Sequence, residues 1–173
     1  MVYRMERGVE MNLSFFVVGR AQQRGSKIPQ VIYRDGKPVM KNGRPIVIAR
    51  DQNDDKSFPW MQEVRSVAMA AKLQVGILEL VRDPVEIYVT FYFNRPKSHY
   101  GTGKNECKLR DSAPLYHSQT PDLDKLCRCF GDALSGVLIS DDRQIASWYA
   151  KKSWTTECEG TEVLIKILGV NRG

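Results

Sequence analysis

The decapeptide PVEIYVTFYF, residues 84–93, alternates without a break: Val85, Ile87, Val89, Phe91 and Phe93 on one face, Glu86, Tyr88, Thr90 and Tyr92 on the other. Successive strand side chains point to opposite faces, so this period of two demands a β-strand with one face in a core. Such a strand cannot bury that face alone; other strands must flank it and another layer must cover it. Candidates for both are present. NLSFFVVGR (12–20) reads as an earlier strand. In VIYRDGKPVMKNGRPIVIAR (31–50), Asp35-Gly36 and Asn42-Gly43 separate β-prone segments and suit type I′ turns, which predicts a hairpin or three-stranded meander. ASWYAKKSW (146–154) and EVLIKIL (162–168), joined through TTECEGT, read as a closing antiparallel pair.

Two segments supply the covering layer. DDKSFPWMQEVRSVAMAAKLQ (54–74) reads as a helix, with Ser57 as a cap, Pro59 in the first turn and an apolar stripe of Trp60, Val64, Val67, Ala68 and Ala71. A second helix over about 122–136 puts Leu123, Leu126, Phe130, Ala133, Leu134 and Val137 on one face, with Asp124, Arg128, Asp132 and Ser135 opposite and Gly136 at its end. With no internal repeat, low-complexity tract or linker in view, the expectation is one domain over residues 1–173. Its class is α/β (α+β), a mixed and largely antiparallel sheet packed against two main helices. A chain of 173 residues is long enough for such a core.

Charge narrows the class of partner. The formal net charge is +6, which suits a polyanion such as nucleic acid. Residues 95–120 lack either period and carry Arg95, Lys97, Lys104, Lys108 and Arg110 against Glu106 and Asp111, so they read as a long basic loop. The hairpin tips add Arg34, Lys37, Lys41 and Arg44; a solvated ribbon and a phosphate contact are both open there. No apolar run approaches a membrane span, and the N-terminus shows no signal-peptide cleavage pattern. Cys127 and Cys129 stand two apart on a helix, about 200° around its axis, too divergent for one tetrahedral metal. With Cys107 and Cys158 they read as reduced thiols of a cytoplasmic protein.

Against this positive background, carboxylates gather around one short helix. Asp122 and Asp124 fall where loop becomes helix, and Asp141 and Asp142 follow an apolar run. Capping at a helix start and a plain turn explain such residues structurally. The alternative is a hard-cation site, because Mg²⁺ takes carboxylate oxygens and leaves positions for water and phosphate. Residue type and spacing leave both open.

The joint pattern is more specific. PDLDKLCRCFGDALSGVLISDDRQIASWYAKKSW (121–154) resembles the core of the RusA-like endodeoxyribonuclease family, Holliday-junction resolvases of phages and prophages. Pro121, Asp122, Asp124, Asp132-Ala133-Leu134, Asp141-Asp142, Gln144-Ile145 and Lys152 follow that family's order. The resemblance implies a magnesium-dependent nuclease, with Mn²⁺ as a substitute, acting as a homodimer on four-way DNA in the cytoplasm of a bacterial host. It implies Asp122, Asp124 and Asp142 as metal ligands and Lys152 as a nearby basic residue, with Asp141 secondary. Arg128 stands where a functional Lys is usual, and Lys125 where Asn is usual. Lys97, Lys104, Lys108 and Arg110 would hold DNA by its phosphates. Trp148, Tyr149 and Trp154 are candidates for a dimer contact. The rival readings are a nuclease acting on other branched or single-stranded DNA, and a non-catalytic DNA-binding protein of the same fold.

Overall fold

The computed structural model describes residues 11–169; residues 1–10, on which the signal-peptide reading falls, lie outside that range. Strands β1 (Met11–Val18), β8 (Val85–Asn94), β9 (Ile145–Thr155) and β10 (Gly160–Ile167) form the main sheet in the order β1-β10-β8-β9. The small strands β2 (Lys27–Val31) through β7 (Val47–Asp51) form a separate ribbon between β1 and helix α1 (Asp54–Gln74). Helix α2 (Leu123–Leu134) lies in the crossover from β8 to β9. The class is the expected α+β, since β1, β10 and β8 pair antiparallel and only β8 with β9 runs parallel.

β8 takes a central place because its inward residues Val85, Ile87, Val89, Phe91 and Phe93 are all buried. That corrects the expected closing pair: β9 and β10 are not neighbours but flank β8 on either side. The physical reason is polarity. β9 carries Ser147, Lys151, Lys152 and Ser153 and suits an edge, whereas β8 must be covered by strands on both sides. The link Thr156–Glu159 therefore steps across the end of β8, and the Glu159 carboxylate accepts from the Asn94 N–H at 3.1 Å and from Arg20 at 2.9 Å.

Phe130 of α2 docks the helix layer on the sheet. Its ring lies 6.3–6.5 Å from those of Phe15, Trp60, Phe91 and Trp148, all centroid distances. Truncation of so buried an aromatic costs about 3–5 kcal/mol. Around it Leu126, Ala133 and Leu134 are buried, as the helical stripe predicts, Cys129 is buried beside them, and Gly136 follows the helix at φ +77°. Burial pushes the Cys129 thiol up to about 12 and the Cys127 thiol to about 11, so both stay protonated. All four cysteines are free.

Three further expectations change. Asn53, not Ser57, is the N-cap residue of α1, and Ser57 is buried inside the helix. The ribbon is a stem, β2 with β7, bearing two short hairpins whose Asp35-Gly36 and Asn42-Gly43 turns have positive φ throughout, as type I′ requires. Those hairpins are an internal repeat, IYRDGKP (32–38) followed by VMKNGRP (39–45). Trp148 and Trp154 pack against the core; of the three dimer candidates Tyr149 is the exposed one, stacked on Tyr88 at 4.5 Å. Among the described residues no helix is long and apolar enough to cross a membrane.

Candidate active site

The parity of β9 decides which lysine can reach α2. Lys152 pairs with Phe91 across the parallel ladder, which puts its side chain on the helix-covered face; Lys151 pairs with Thr90 and faces the other way. The Lys152 ammonium donates to the carbonyls of Gln119 at 2.5 Å and Pro121 at 2.8 Å, tying the edge strand to the turn that leads into α2. The Thr120–Pro121 bond within that turn is cis. Burial lowers the Lys152 pKa, and the Asp122 charge works against that shift.

Asp122 is the N-cap residue of α2, with extended backbone at φ −73° and ψ 133°. An aspartate there ordinarily accepts from an N–H of the first turn, yet this one makes no side-chain capping bond. Its carboxylate instead meets Lys125 Nζ at 2.7 Å. The hydrogen bond and charge of Lys125, with a smaller contribution from Lys152, hold its pKa below the usual carboxylate value. The Asp122 N–H donates to the side chain of Gln23, so the segment after β1 is drawn onto the helix start. Asp124 is exposed in the first turn, and its carboxylate has no hydrogen bond or ion pair among the described residues.

The segment Gln23–Gly25 continues along α2. The Arg24 N–H donates to the Lys125 carbonyl at 3.3 Å, and Arg128 Nη2 donates to the Gly25 carbonyl at 3.0 Å. Arg24 itself ends in a carboxylate cluster, 2.9 Å from Asp132 and 3.1 Å from Asp54. Arg128, expected beside the reacting phosphate, thus has one donor engaged with this strap. Arg24 is a cation that the sequence did not single out. The i, i+4, i+8 stripe of Asp124, Arg128 and Asp132 was its one available signal.

Asp142 stands at the other end of the helix. It shares a shallow cleft with Arg24, Arg65, Asp132, Ser135, Ser140 and Asp141. Asp132 follows Asp122 by ten positions, about 15 Å along the axis at the helical rise per residue. Within one chain the structure therefore pairs Asp122 with Asp124 and leaves Asp142 apart. Among the described residues no group of three or more Asp, Glu, His or Cys is close enough to hold a metal ion. Asp141 is committed elsewhere: it caps the 3₁₀ turn Asp142–Gln144, accepting from the Arg143 N–H at 3.0 Å, while the Gln144 side chain accepts from the Asp141 N–H at 2.9 Å.

The basic loop adjoins the Lys152 end of the helix and is folded. Gly101 N–H donates to the Lys108 carbonyl and Arg110 N–H to the His99 carbonyl, closing a small hairpin. Its two histidines, the only two of the chain, are both buried against Trp154, with centroids at 5.1 Å for His99 and 4.2 Å for His117. Lys97, Lys104, Lys108 and Arg110 remain exposed on this loop. Arg110 has one donor committed to the Tyr100 carbonyl at 2.6 Å.

No curated protein matches the chain. A family model described as Endodeoxyribonuclease RusA matches residues 35–166, well over half the chain, and spans the ribbon from its first turn onward, both helices, the loop and both aspartate pairs. Fold, segment order and match agree: the chain belongs to the RusA endodeoxyribonuclease family, whose members are DNA nucleases.

Proposed function

We propose that this chain is a Mg²⁺-dependent endodeoxyribonuclease, with Mn²⁺ as a substitute, that works as a homodimer and resolves four-way DNA junctions by paired, symmetric nicks. The observation that carries the reading is Asp122, an N-cap aspartate that does no capping and is held between Lys125 and Lys152. Hard divalent cations take ionised carboxylate oxygens, and Asp122, which spends none on the helix and only an exposed ion pair on Lys125, fits with Asp124 as two ligands from one helix turn. A cation held there would offset phosphate charge and acidify a coordinated water.

The other tasks belong to the chain's own side chains. Lys152, fixed by the carbonyls of Gln119 and Pro121, stabilises the negative charge that builds on the scissile phosphate. Lys125 keeps Asp122 ionised, and so ready as a ligand, until DNA and cation arrive. The loop cations Lys97, Lys104, Lys108 and Arg110 hold the DNA arms by phosphate contact, without reading sequence.

Twofold symmetry supplies what one chain lacks. In a homodimer the same surface meets itself reversed, so the Asp142 end of one α2 can stand by the Asp122 end of the other. Each active site then takes Asp122, Asp124 and Lys152 from one chain and Asp142 from its partner. Two such sites match the symmetry of a four-way junction.

Complementation tests this directly. Asp122→Asn and Asp142→Asn proteins are each expected to be inactive on a synthetic junction with Mg²⁺. Mixed after subunit exchange, they form heterodimers with one site wholly intact and the other doubly altered. Recovered nicking, without paired cleavage, is the expected result. No recovery, with mixed dimers shown by mass, would place each site within one chain. Equal cutting of linear duplex or single strand by the unaltered protein would remove the junction from the reading.

A further inference from the structure

The ribbon between β1 and α1 meets this site at the foot of its stem, where Asp51 accepts from the Gly25 N–H at 2.7 Å, and its outer sequence repeats: aliphatic, large apolar, cation, Asp or Asn, Gly, cation, Pro, twice over in residues 32–38 and 39–45. The backbone turns that repeat into a three-armed head. Ile32 N–H donates to the Ile46 carbonyl at 3.0 Å, Ile46 N–H to Val39 at 2.8 Å, and Val39 N–H to Ile32 at 2.8 Å, a closed ring of hydrogen bonds. The β2–β7 stem and the two hairpins radiate from this ring. Ile32, Val39 and Ile46, the first residue of each unit and the one that follows them, are half-buried where the arms meet, while every residue from Tyr33 to Pro38 and from Met40 to Pro45 is exposed.

Each hairpin sets two cations directly opposite one another: Arg34 against Lys37, and Lys41 against Arg44. Like charges at directly opposed strand positions destabilise the pair. None of the four side chains has a salt bridge or hydrogen bond among the described residues, and only the Asp35 charge at the first turn stands near enough in sequence to temper either repulsion. Isolated two-stranded hairpins are marginal to begin with. Arginine opposite lysine, built twice at one position of a repeat, is what a phosphate seated between them would relieve.

We propose that the ribbon head is a two-fingered clamp for the sugar-phosphate backbone of duplex DNA, each hairpin gripping phosphate with its opposed pair of cations. It extends the nuclease reading, on which the choice of DNA rests, to a binding surface remote from the aspartates and independent of cleavage. The fingers are unequal: the first carries Asp35 at its turn and the second carries the neutral Asn42, so the second is the stronger. Both turn residues sit in the left-handed region, at φ 50° and 52°, where Asp and Asn are both accepted. Their charge can therefore be exchanged without reshaping the hairpin.

The test is binding of linear duplex DNA in EDTA, followed by fluorescence anisotropy over a salt series, which needs neither metal nor junction. Neutralising one finger, as Lys41→Gln with Arg44→Gln or Arg34→Gln with Lys37→Gln, is expected to weaken binding and reduce the slope of log K against log salt by about 2, one per cation removed. Thermal stability should hold or rise, since a repulsion is gone. Asp35→Asn is expected to tighten binding several-fold and Asn42→Asp to weaken it by a similar factor. Unchanged affinity and slope in both neutralised fingers, or turn exchanges that shift affinity the wrong way, would overturn the clamp. So would conversion of a dimer to a monomer by these changes, which would make the head a contact between chains. Junction cleavage by the unaltered protein separates the two ideas. If cleavage is intact but the fingers are silent in binding, the clamp falls and the nuclease reading stands; if the unaltered protein neither binds nor cuts DNA, both fall.

Discussion

Asp122 and Asp141 occupy the same formal position, the residue before a helical turn, and are used in opposite ways. Asp141 is consumed by the fold: it closes a capping box with Gln144, whose amide also donates to the Val81 and Asp83 carbonyls at 3.0 Å, fastening the start of β9 beside β8. Asp122 caps nothing, although α2 has free N–H groups to offer it. An aspartate that forgoes a favourable local bond and faces two lysines keeps its charge, which is what the proposed ligand role requires. Its neighbours show the same division, since the carboxylates of Asp124 and Asp142 carry no hydrogen bond or ion pair among the described residues.

Exchanging function for stability at the two positions breaks or sharpens that contrast, and it carries the largest effect. Asp122→Asn is expected to reduce junction cleavage by at least about 10³, at the upper end of what one preorganised electrostatic group supplies, with thermal stability unchanged. Asp141→Ala should cost about 1 kcal/mol of stability, the usual loss of a cap, while Asp141→Asn keeps the cap and is nearly silent. For a chain of this size 1 kcal/mol lowers Tm by about 2–4 °C. Loss of stability in Asp122→Asn, or loss of cleavage in both Asp141 variants with stability intact, would reverse the assignment of the two residues.

A second contrast sets Lys152 against the loop lysines. Lys152→Ala is expected to lower kcat by about 10²–10³ with little change in KM, because the stabilisation proposed for it belongs to the transition state. Replacing Lys97, Lys104 and Lys108 together should raise KM and flatten the salt dependence of binding while leaving kcat near its original value. Lys152 is also a fastening for the Gln119 and Pro121 carbonyls, so hydrogen exchange in residues 117–121 is measured alongside. A fall in kcat that tracks loosening of that turn would make Lys152 a positioning residue.

These contrasts also show what the sequence could reveal. Alternation in 84–93 and the apolar stripe of α2 are local signals written in consecutive side chains, and both elements form as read. Sheet order is not local. EVLIKIL and ASWYAKKSW each read as strands, but their separation by β8 follows from which strand most needs cover on both sides, a competition across the whole chain. Lys152 was legible through the family order, and its orientation through strand parity once β9 was paired. The distance between Asp122 and Asp142 was not, because spacing along the chain does not say that α2 would hold them apart. Arg24 had no motif at all, and the seven-residue repeat was visible yet masked by its differing letters: Arg for Lys, Asp for Asn, Ile for Val. The histidines of the loop carried a signal of rarity alone, and their meaning came only with Trp154 beneath them.

The smallest effect concerns that loop. His117 lies buried between Phe93 and Trp154, at centroid distances of 4.6 and 4.2 Å. Burial lowers its pKa from the ordinary 6.5, and the charges of Lys152 and Arg20 lower it further, while hydrogen bonding at the backbone of His117 and Gln119 only partly opposes them. The docked imidazole is therefore the weaker base, and an undocked loop binds a proton first. Where the open state holds more protons, stability of the closed state rises with pH. Docking is accordingly strongest above pH 6.5 and weakens as the pH falls from there toward the depressed value. The amides of Gly101 and Arg110, bonded within the loop hairpin to the Lys108 and His99 carbonyls, are the reporters. Their hydrogen-exchange protection, corrected for the intrinsic rate, should decline between pH 7 and pH 5, and His117→Gln should flatten the decline. Protection constant across that interval in the unaltered protein would mean that the imidazole is not what closes the loop, leaving the Arg95 contacts with Trp154 and the Pro114 carbonyl to hold it.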